Sequence, residues 1–246
     1  MTQTDHYADA RSRILVALDF DNAADALALT RSLAGTIGGV KVGLELVNAA
    51  GFGIFAQLTD AGVERIFYDA KFHDIPNTVA GAVRAASRRG VWMVNIHASG
   101  GTAMLRAARE AANTVANPPL LIGVTVLTSI DTTTLNADLR VPGEAREQVV
   151  HLARLSQEAG LDGVVASPQE VAAIRAACGP GFITVIPGIR PAGVAANDQA
   201  RVATPGSAIR DGAYYLVVGR AITAAPDPKA AAHAITLEIA DALSAA

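Results

Sequence analysis

The segment FYDAKFHDIPNT, residues 67–78, carries the densest group of chemistry-bearing side chains in the sequence. Asp69 and Lys71 are two residues apart, and Asp74 follows Lys71 by three. Because the side chains of a strand alternate between its two faces, we expect Asp69 and Lys71 to project to the same side. Burial disfavours an ammonium group, whereas flanking carboxylates favour it. The spacing therefore predicts a protonated lysine, which is a general acid.

Two more charged residues, Asp19 and Lys41, stand within apolar runs or at their ends earlier in the chain. Together with Asp69 and Lys71 they predict an array in which carboxylates and ammonium groups compensate one another. The alternative interpretation is a purely structural network of ion pairs. Replacing such a network by apolar side chains is often neutral or stabilising, so its presence favours a functional site over a stabilising one.

A second candidate site is LVVGRAIT, residues 216–223, where Gly219 and Arg220 follow an apolar run. A glycine there lets an anion approach backbone N–H groups, and the arginine adds a charge-assisted hydrogen bond. Arg190 in PGIRP and Gln199 farther along the same segment are within reach of such a ligand. The alternative interpretation is an ordinary turn glycine. Phosphate sites recur after the seventh and eighth strands of (β/α)8 barrels, which favours a phosphate ligand.

Eight short apolar or β-branched runs predict the strands that must position these residues. They are residues 14–19, 39–43, 65–70, 91–97, 120–127, 162–166, 182–187 and 214–219. Continuous apolar runs separated by Ala-rich helical segments, such as 44–61, are typical of a parallel sheet covered by helices. The sequence therefore predicts the α/β class, with a polar tail at 1–12 and a single-domain (β/α)8 TIM barrel at 13–246. An open doubly wound sheet is the alternative, which the lack of GxGxxG after the first run disfavours.

The carboxyl ends of the strands build the catalytic face of such a barrel. His97 and Thr128 are predicted to end the fourth and fifth strands. We interpret His97 as a residue of the barrel interior, because no second ligand stands at metal-binding spacing from it. The segments 128–143 and 188–207 are longer than plain βα turns and are predicted to cover the substrate.

The composition excludes several classes of function. The 20 basic and 23 acidic side chains give a net charge of −3, which provides no basic surface for nucleic acid or an anionic membrane. The single Cys178 cannot form an intramolecular disulfide, which fits a reducing cytoplasm. No signal-peptide pattern opens the chain, and its apolar runs are far shorter than the roughly 20 residues that span a bilayer. We therefore expect a cytoplasmic protein that acts on a small molecule.

These motifs, in this order, resemble the bacterial type of the orotidine 5′-phosphate decarboxylase family. The resemblance covers residues 15 to about 225 and is carried by ALDF (17–20), KVG (41–43), DAKFHDIPNT (69–78), VTVLTS (124–129), PGIRP (187–191), NDQARVATP (197–205) and YYLVVGRAIT (214–223). It implies decarboxylation of orotidine 5′-monophosphate to uridine 5′-monophosphate in de novo pyrimidine biosynthesis, with no cofactor and no metal.

The resemblance also implies a role for each matched residue. Lys71 would be the proton donor, assisted by the other catalytic residues Asp69, Asp74 and Lys41. Asp74 would come from the second subunit of a homodimer. The implied substrate-binding residues are Asp19 and Lys41 at the ribose, Thr78 and Thr128 elsewhere on the ligand, and Arg190, Gln199, Gly219 and Arg220 at the phosphate.

Two alternatives remain at this level. The related 3-keto-gulonate 6-phosphate decarboxylases and hexulose-phosphate synthases resemble this chain in the Asp-x-Lys-x-x-Asp segment. They carry a metal-binding carboxylate on the second strand, where this sequence has Lys41. A catalytically silent barrel that binds a phosphate ligand is the other alternative, which the complete charged quartet disfavours.

Overall fold

The computed structural model describes residues 3–191 and 203–245. Within them, eight parallel strands each pair with the next, and the eighth pairs with the first to close a barrel. The strands are β1 Ile14–Ala17, β2 Gly39–Val42, β3 Ile66–Phe72, β4 Met93–His97, β5 Leu120–Val124, β6 Gly163–Val165, β7 Ile183–Ile186 and β8 Tyr215–Val218. Each strand overlaps its predicted run, and the predicted (β/α)8 TIM barrel is confirmed.

Helices pack around the outside of this barrel. In the described residues they are α1 Gln3–Ser12, α2 Ala23–Leu33, α3 Leu44–Ala50, α4 Ile54–Asp60, α5 Pro76–Ser87, α6 Gly101–Ala112, α7 Thr132–Ala137, α8 Ala145–Glu158, α9 Val171–Cys178, α10 Pro205–Arg210, α11 Arg220–Thr223 and α12 Pro228–Ser244. Asn22 and Asp227 cap α2 and α12 by accepting hydrogen bonds from backbone N–H groups in the first turn. No helix among these is long and apolar enough to cross a membrane.

The barrel interior is formed by alternate residues of the strands, as the period of two requires. Its buried apolar side chains are Leu15, Ala17, Phe67, Met93, Ile122, Val185, Tyr215 and Val217. Trp92 and Tyr215 meet edge to face at the amino-terminal end, with ring centroids 5.1 Å apart. The intervening residues, such as Val16, Val40 and Val94, face the helices in a second, larger core. The amino-terminal end is therefore filled, which leaves the carboxyl ends to hold a site.

Three helices lie where the sequence predicts no regular structure. α1 lies within the predicted polar tail and packs against α12, where the Tyr7 hydroxyl is 2.7 Å from His233 Nδ1. α7 lies inside the predicted loop 128–143, and α10 begins inside the predicted loop 188–207 and extends three residues past it. Asp131 caps α7 and Thr204 caps α10. The domain limit at residue 13 stays a prediction, although a helix precedes it.

The single predicted helix 44–61 is wrong and is two helices, α3 and α4. The break falls at the Gly51-Phe52-Gly53 segment, and Gly51 has a φ of +70°, which favours glycine. Apolar periodicity continues across the break, so the pattern alone does not reveal it. The break turns Phe52 onto Phe55 and Tyr68, with ring centroids 6.3 Å away from it in both cases.

Candidate active site

A cavity of about 520 Å³ opens at the carboxyl ends of the strands. Its apolar wall is made of inward-facing strand residues, including Ala17, Phe67, Val124, Val165, Val185 and Val217. Its polar lining includes Asp19, Lys41, Glu45, Asp69, Lys71, Thr128, Arg190, Gly219, Arg220 and Thr223. The barrel therefore brings eight of the predicted site residues onto one cavity, and Glu45 and Thr223 join them.

The charged residues on the β1 to β3 side form a chain of alternating sign. Lys41 Nζ lies 3.0 Å from Asp19 Oδ1 and 3.4 Å from Asp69 Oδ2. Lys71 Nζ lies 2.6 Å from Asp69 Oδ1. Asp69 is thus held between two ammonium groups, one on each carboxylate oxygen. The two acids and two lysines cancel in formal charge, which is what makes burial of the group tolerable.

The surroundings of Lys41 and Asp69 keep both ionised. Burial opposes the charge on Lys41, but Asp69 and Asp19 outweigh burial and raise the pKa of the Lys41 ammonium. Burial would likewise raise the pKa of Asp69, but Lys41 and Lys71, with hydrogen bonds from Lys71 and Asn95, lower the pKa of that carboxyl. Charge compensation dominates desolvation at both groups.

Lys71 reaches this chain from an irregular part of β3. The strand is in register with β4 at Tyr68, shifts, and is paired again at Phe72. Lys71 has a φ of +49°, in the left-handed region that L-residues rarely adopt. The Asp69 and Lys71 side chains do meet, as expected from their predicted position on one side of the strand. The regular alternation assumed for it is wrong, since a bulge and not a flat strand presents Lys71.

Asn95 on β4 was not predicted as a site residue, yet it contacts both members of this pair. It is fully buried, donates from Nδ2 to Asp69 Oδ1 over 2.7 Å, and accepts from the backbone N–H of Lys71 over 2.7 Å. The sequence contains one signal for it: Asn95 is two residues from both Met93 and His97, so it lies on the same inward face of an apolar strand. A buried amide there needs partners, and the charged chain provides them.

A close approach explains the glycine in the KVG motif. A Cβ added to Gly43 would lie 2.9 Å from Lys41 Nζ and 3.7 Å from Asp19 Oδ1. Gly43 has an ordinary extended backbone, with φ −99° and ψ −169°, so it is the space and not the conformation that calls for glycine. Any side chain at this position would push the Lys41 ammonium out of its place between Asp19 and Asp69.

Two arginines line another side of the cavity, after β7 and β8. Arg190 is buried and donates from Nη1 to the carbonyl of Ile189, while its Nε has no hydrogen-bond partner among the described residues. Burial and the Arg220 guanidinium lower the pKa of Arg190. Two cations held close together beside Gly219 form a region of positive potential that favours an anion.

Two predicted site residues in the described part of the chain are not part of this cavity lining. Asp74 and Thr78 are exposed, at the turn after β3 and in the first turn of α5. The Asp74 carboxylate accepts a hydrogen bond from the backbone N–H of Ile75, whose side chain is 67% exposed. Gln199 lies outside the described residues.

The model of the family described as orotidine 5′-phosphate decarboxylase / HUMPS matches residues 12–235 of this sequence. The chain belongs to that family. This membership accounts for the barrel and for the order of the motifs along it.

Close relatives in this orotidine 5′-phosphate decarboxylase / HUMPS family cover nearly the whole chain. The orotidine 5′-phosphate decarboxylase of Moorella thermoacetica is 54% identical over 235 residues, 94% of this chain and 93% of that protein. That of Halorhodospira halophila is 53% identical, over 94% of this chain and 97% of its own. The crystal structure of the Lactobacillus acidophilus enzyme of the same name has a TM-score of 0.81 at 39% identity, covering 92% of this chain and 98% of that one.

Beside the charged chain, the rings of His97 and His73 pack in a tilted arrangement, with centroids 5.3 Å apart and an interplanar angle of 35°. Burial, together with His73 and Lys71, lowers the pKa of His97, and Asp69 only partly offsets this. The fold therefore favours the neutral imidazole. Within residues 3–191 and 203–245, no group of three or more His, Cys, Asp or Glu side chains is arranged to hold a metal ion.

The neutral state of His97 predicts a pH dependence of stability. Its pKa is lowered in the folded state, so the unfolded chain binds a proton more readily below the ordinary value of 6.5. The free energy of unfolding therefore falls as the pH drops below about 6.5, until the folded-state pKa is passed. Urea unfolding at pH 7.5 and 5.5 should show a smaller loss for His97→Gln than for the unchanged protein.

The exposed His151 on α8 supplies the matched control, His151→Gln. That variant should keep the pH dependence of the unchanged protein. Asp69 does not contribute to the stability change between pH 7.5 and 5.5, because its pKa lies below the ordinary 3.8. Equal losses in all three proteins would show that His97 is not desolvated in the fold.

Proposed function

We propose that this chain decarboxylates orotidine 5′-monophosphate to uridine 5′-monophosphate, as a step of pyrimidine biosynthesis. The observation that carries the proposal is the pairing of two features across one cavity: the Asp19–Lys41–Asp69–Lys71 chain on one side and the arginines on the other. The relatives that share nearly the whole chain are named for this reaction.

Lys71 is the acid in the proposed reaction. The bond between C6 of the pyrimidine and its carboxyl carbon breaks, CO₂ leaves, and the electron pair stays on C6. That pair lies in the ring plane and does not spread into the π system, so the carbanion must be stabilised from outside. The Lys71 ammonium provides preorganised positive charge at that point and then gives its proton to C6. Solvent restores the proton to the amine.

Asp69 has two functions in this scheme. It orients the Lys71 ammonium over a 2.6 Å contact, and in the proposed complex its own charge would lie beside the substrate carboxylate. The second effect disfavours the ground state, because the negative charge of the carboxylate moves to C6 as neutral CO₂ departs. Lys41 and Lys71 supply the positive charge that the reaction needs, so the proposal includes no metal and no organic cofactor.

The phosphate end of the nucleotide would bind at the arginine side of the cavity. Arg190, Gly219 and Arg220, with Gln199, would hold the phosphate, and the burial of Arg190 strengthens its attraction for an anion. Asp19 and Lys41 would contact the ribose, and Thr78 and Thr128 would contact the ligand elsewhere. Binding energy from a phosphate far from C6 can be realised in the transition state.

The proposal includes a homodimer with shared sites. Asp74 is exposed on its own chain and lies outside its own cavity lining, beside the exposed Ile75. Burying that isoleucine against a second subunit would bring the Asp74 carboxylate to the partner's Lys71. Because a two-fold interface is reciprocal, each subunit would complete the other's site.

The sugar-phosphate chemistry of the HUMPS branch is the second candidate, since the matching family model includes it. The position on β2 where those enzymes carry a metal-binding carboxylate holds Lys41. Its ammonium already contacts both neighbouring carboxylates, Asp19 and Asp69. A divalent cation would have to displace that ammonium, so the contacts favour the decarboxylase reaction on a nucleotide.

The first test is turnover of orotidine 5′-monophosphate, followed by loss of its ultraviolet absorbance in buffer treated with chelator. We expect full activity there, and an activity loss of several orders of magnitude for Lys71→Ala with the fold retained by circular dichroism. Lys229→Ala, on the exposed face of α12, should match the unchanged protein. Activity that disappears with chelator and returns with Mg²⁺ would favour the sugar-phosphate candidate. Near-normal turnover by folded Lys71→Ala would remove the lysine from the mechanism.

The phosphate assignment is tested with Arg220→Ala and a pair of substrates. Hydrogen bonds to charged groups contribute about 1.5–3 kcal/mol, so kcat/KM for orotidine 5′-monophosphate should fall about 10-fold to 100-fold. With orotidine, which lacks the phosphate, Arg220→Ala and the unchanged protein should differ little. The exposed Arg88 on the outer end of α5 gives the control, Arg88→Ala. A loss of equal size on both substrates would place the phosphate elsewhere.

The shared site is tested by mixing two inactive variants, Lys71→Ala and Asp74→Ala. A mixed dimer has one site with both lesions and one with neither. Random reassortment of equal amounts makes about half of the dimers mixed, so activity should return to roughly a quarter of the unchanged value. Native mass spectrometry verifies the exchange of subunits. If mixed dimers form and the mixture stays inactive, Asp74 acts within its own chain.

A further inference from the structure

The bulge of β3 lies opposite a single residue of β4. Between the paired positions Tyr68–Val94 and Phe72–Ile96, β3 contains three residues where β4 contains one, Asn95. Asp69, Ala70 and Lys71 thus face one residue, which makes two of them surplus, and the ladder of backbone hydrogen bonds is interrupted where the charged chain begins. A bulge leaves backbone groups that need other partners.

The Asn95 side chain provides the bonds that the interrupted ladder lacks. Its Oδ1 accepts from the backbone N–H of Lys71 over 2.7 Å, and its Nδ2 donates to Asp69 Oδ1 over 2.7 Å. Only this orientation of the amide is satisfied, because the reverse would set an N–H against an N–H and an oxygen against a carboxylate. Asn95 is fully buried, so water does not compete for either bond.

We propose that Asn95 is the positioning residue of the charged chain: its amide holds the β3 bulge that carries Lys71 and orients the Asp69 carboxylate between the two ammonium groups. Asp69 Oδ1 accepts from Asn95 and from Lys71, while Asp69 Oδ2 faces Lys41. Without the donor from Asn95, the orientation of the Asp69 carboxylate depends on its contacts with Lys41 and Lys71 alone. Without the acceptor, the left-handed backbone at Lys71 loses the contact that compensates for it.

This role rests on the proposed decarboxylation and is distinguishable from simple core stability. A buried amide that served only to stabilise the barrel would change the unfolding midpoint and leave kcat and its pH dependence unchanged. A positioning residue changes both, because a displacement of about 1 Å at a reacting group can cost about 100-fold in rate. Asn95 makes no contact with the arginine side of the cavity in the structure, so KM should change little.

The experiment uses two substitutions of nearly the same size. Asn95→Leu removes both bonds, whereas Asn95→Asp keeps the acceptor for Lys71 N–H and replaces the donor by a second carboxylate beside Asp69. We expect kcat to fall at least about 100-fold in both, with KM within about three-fold. In Asn95→Asp the acid limb of the kcat profile should also move to higher pH, because one of two adjacent carboxylates then retains a proton.

Thr184→Val is the matched control. Thr184 is also fully buried, accepts from Tyr214 N–H and donates to the Gly212 carbonyl, at the amino-terminal end of β7 away from the charged chain. It should lower the unfolding midpoint and leave kcat and the pH profile unchanged. Should Asn95→Leu fail to fold, Asn95→Asp and its pH profile decide the question.

A readout that needs no turnover separates this proposal from the proposed function. The carbon-13 signal of the Asp69 carboxyl, followed by NMR, should titrate at higher pH in both Asn95 variants than in the unchanged protein. An inactive unchanged protein would refute the decarboxylase function and leave the titration to decide the role of Asn95. Folded variants with kcat within three-fold of the unchanged protein, or with an unmoved Asp69 titration, would refute the positioning role.

Discussion

The Asp69 carboxylate holds the site together, because both lysines and Asn95 are positioned by the hydrogen bonds or ion pairs that they make with it. It accepts from Lys71 and Asn95 on one oxygen and faces Lys41 on the other. Removing one partner from a buried ion pair costs about 3–5 kcal/mol, since the remaining charge is left uncompensated. Asp69 and Lys41 are therefore ionised as a unit, and the order of signs from Asp19 to Lys71 follows from that need.

The barrel separates this charge-compensated side from a side that carries two arginines. Lys41 and Lys71 are neutralised by their carboxylates, whereas Arg190 and Arg220 lie after β7 and β8 around Gly219. In the proposed reaction the dianionic phosphate would bind at the second side, and the carboxylate that gives up its negative charge would lie at the first. The closed sheet fixes the position of β3, which carries Lys71, relative to β7 and β8, so the two regions stay at a set distance. Binding at one end can thus orient chemistry at the other.

Much of this arrangement could be predicted from the sequence, because apolar runs and the polar residues at their ends are local signals. The eight strands and the meeting of Asp19, Lys41, Asp69 and Lys71 are of that kind. The β3 bulge is not, since it is a relation between β3 and β4 that neither strand's own pattern contains. Asn95 was missed for that reason, and the break at Gly51 was missed because apolar periodicity runs across it. α7 and α10 were missed because their capped turns lie within Gly- and Pro-rich segments.

Lys41 shows how one position can separate two chemistries on the same barrel. Its ammonium occupies the space between Asp19 and Asp69, and the missing Cβ of Gly43 leaves room for it there. A carboxylate in place of Lys41 would leave three acids around that space and would require a cation from solution. A lysine supplies the positive charge covalently, with no dependence on metal concentration and with a hydrogen-bonding direction as well as a charge. The choice between a bound cation and a built-in one is therefore made on β2, while Lys71, the acid of the proposed reaction, is presented by β3.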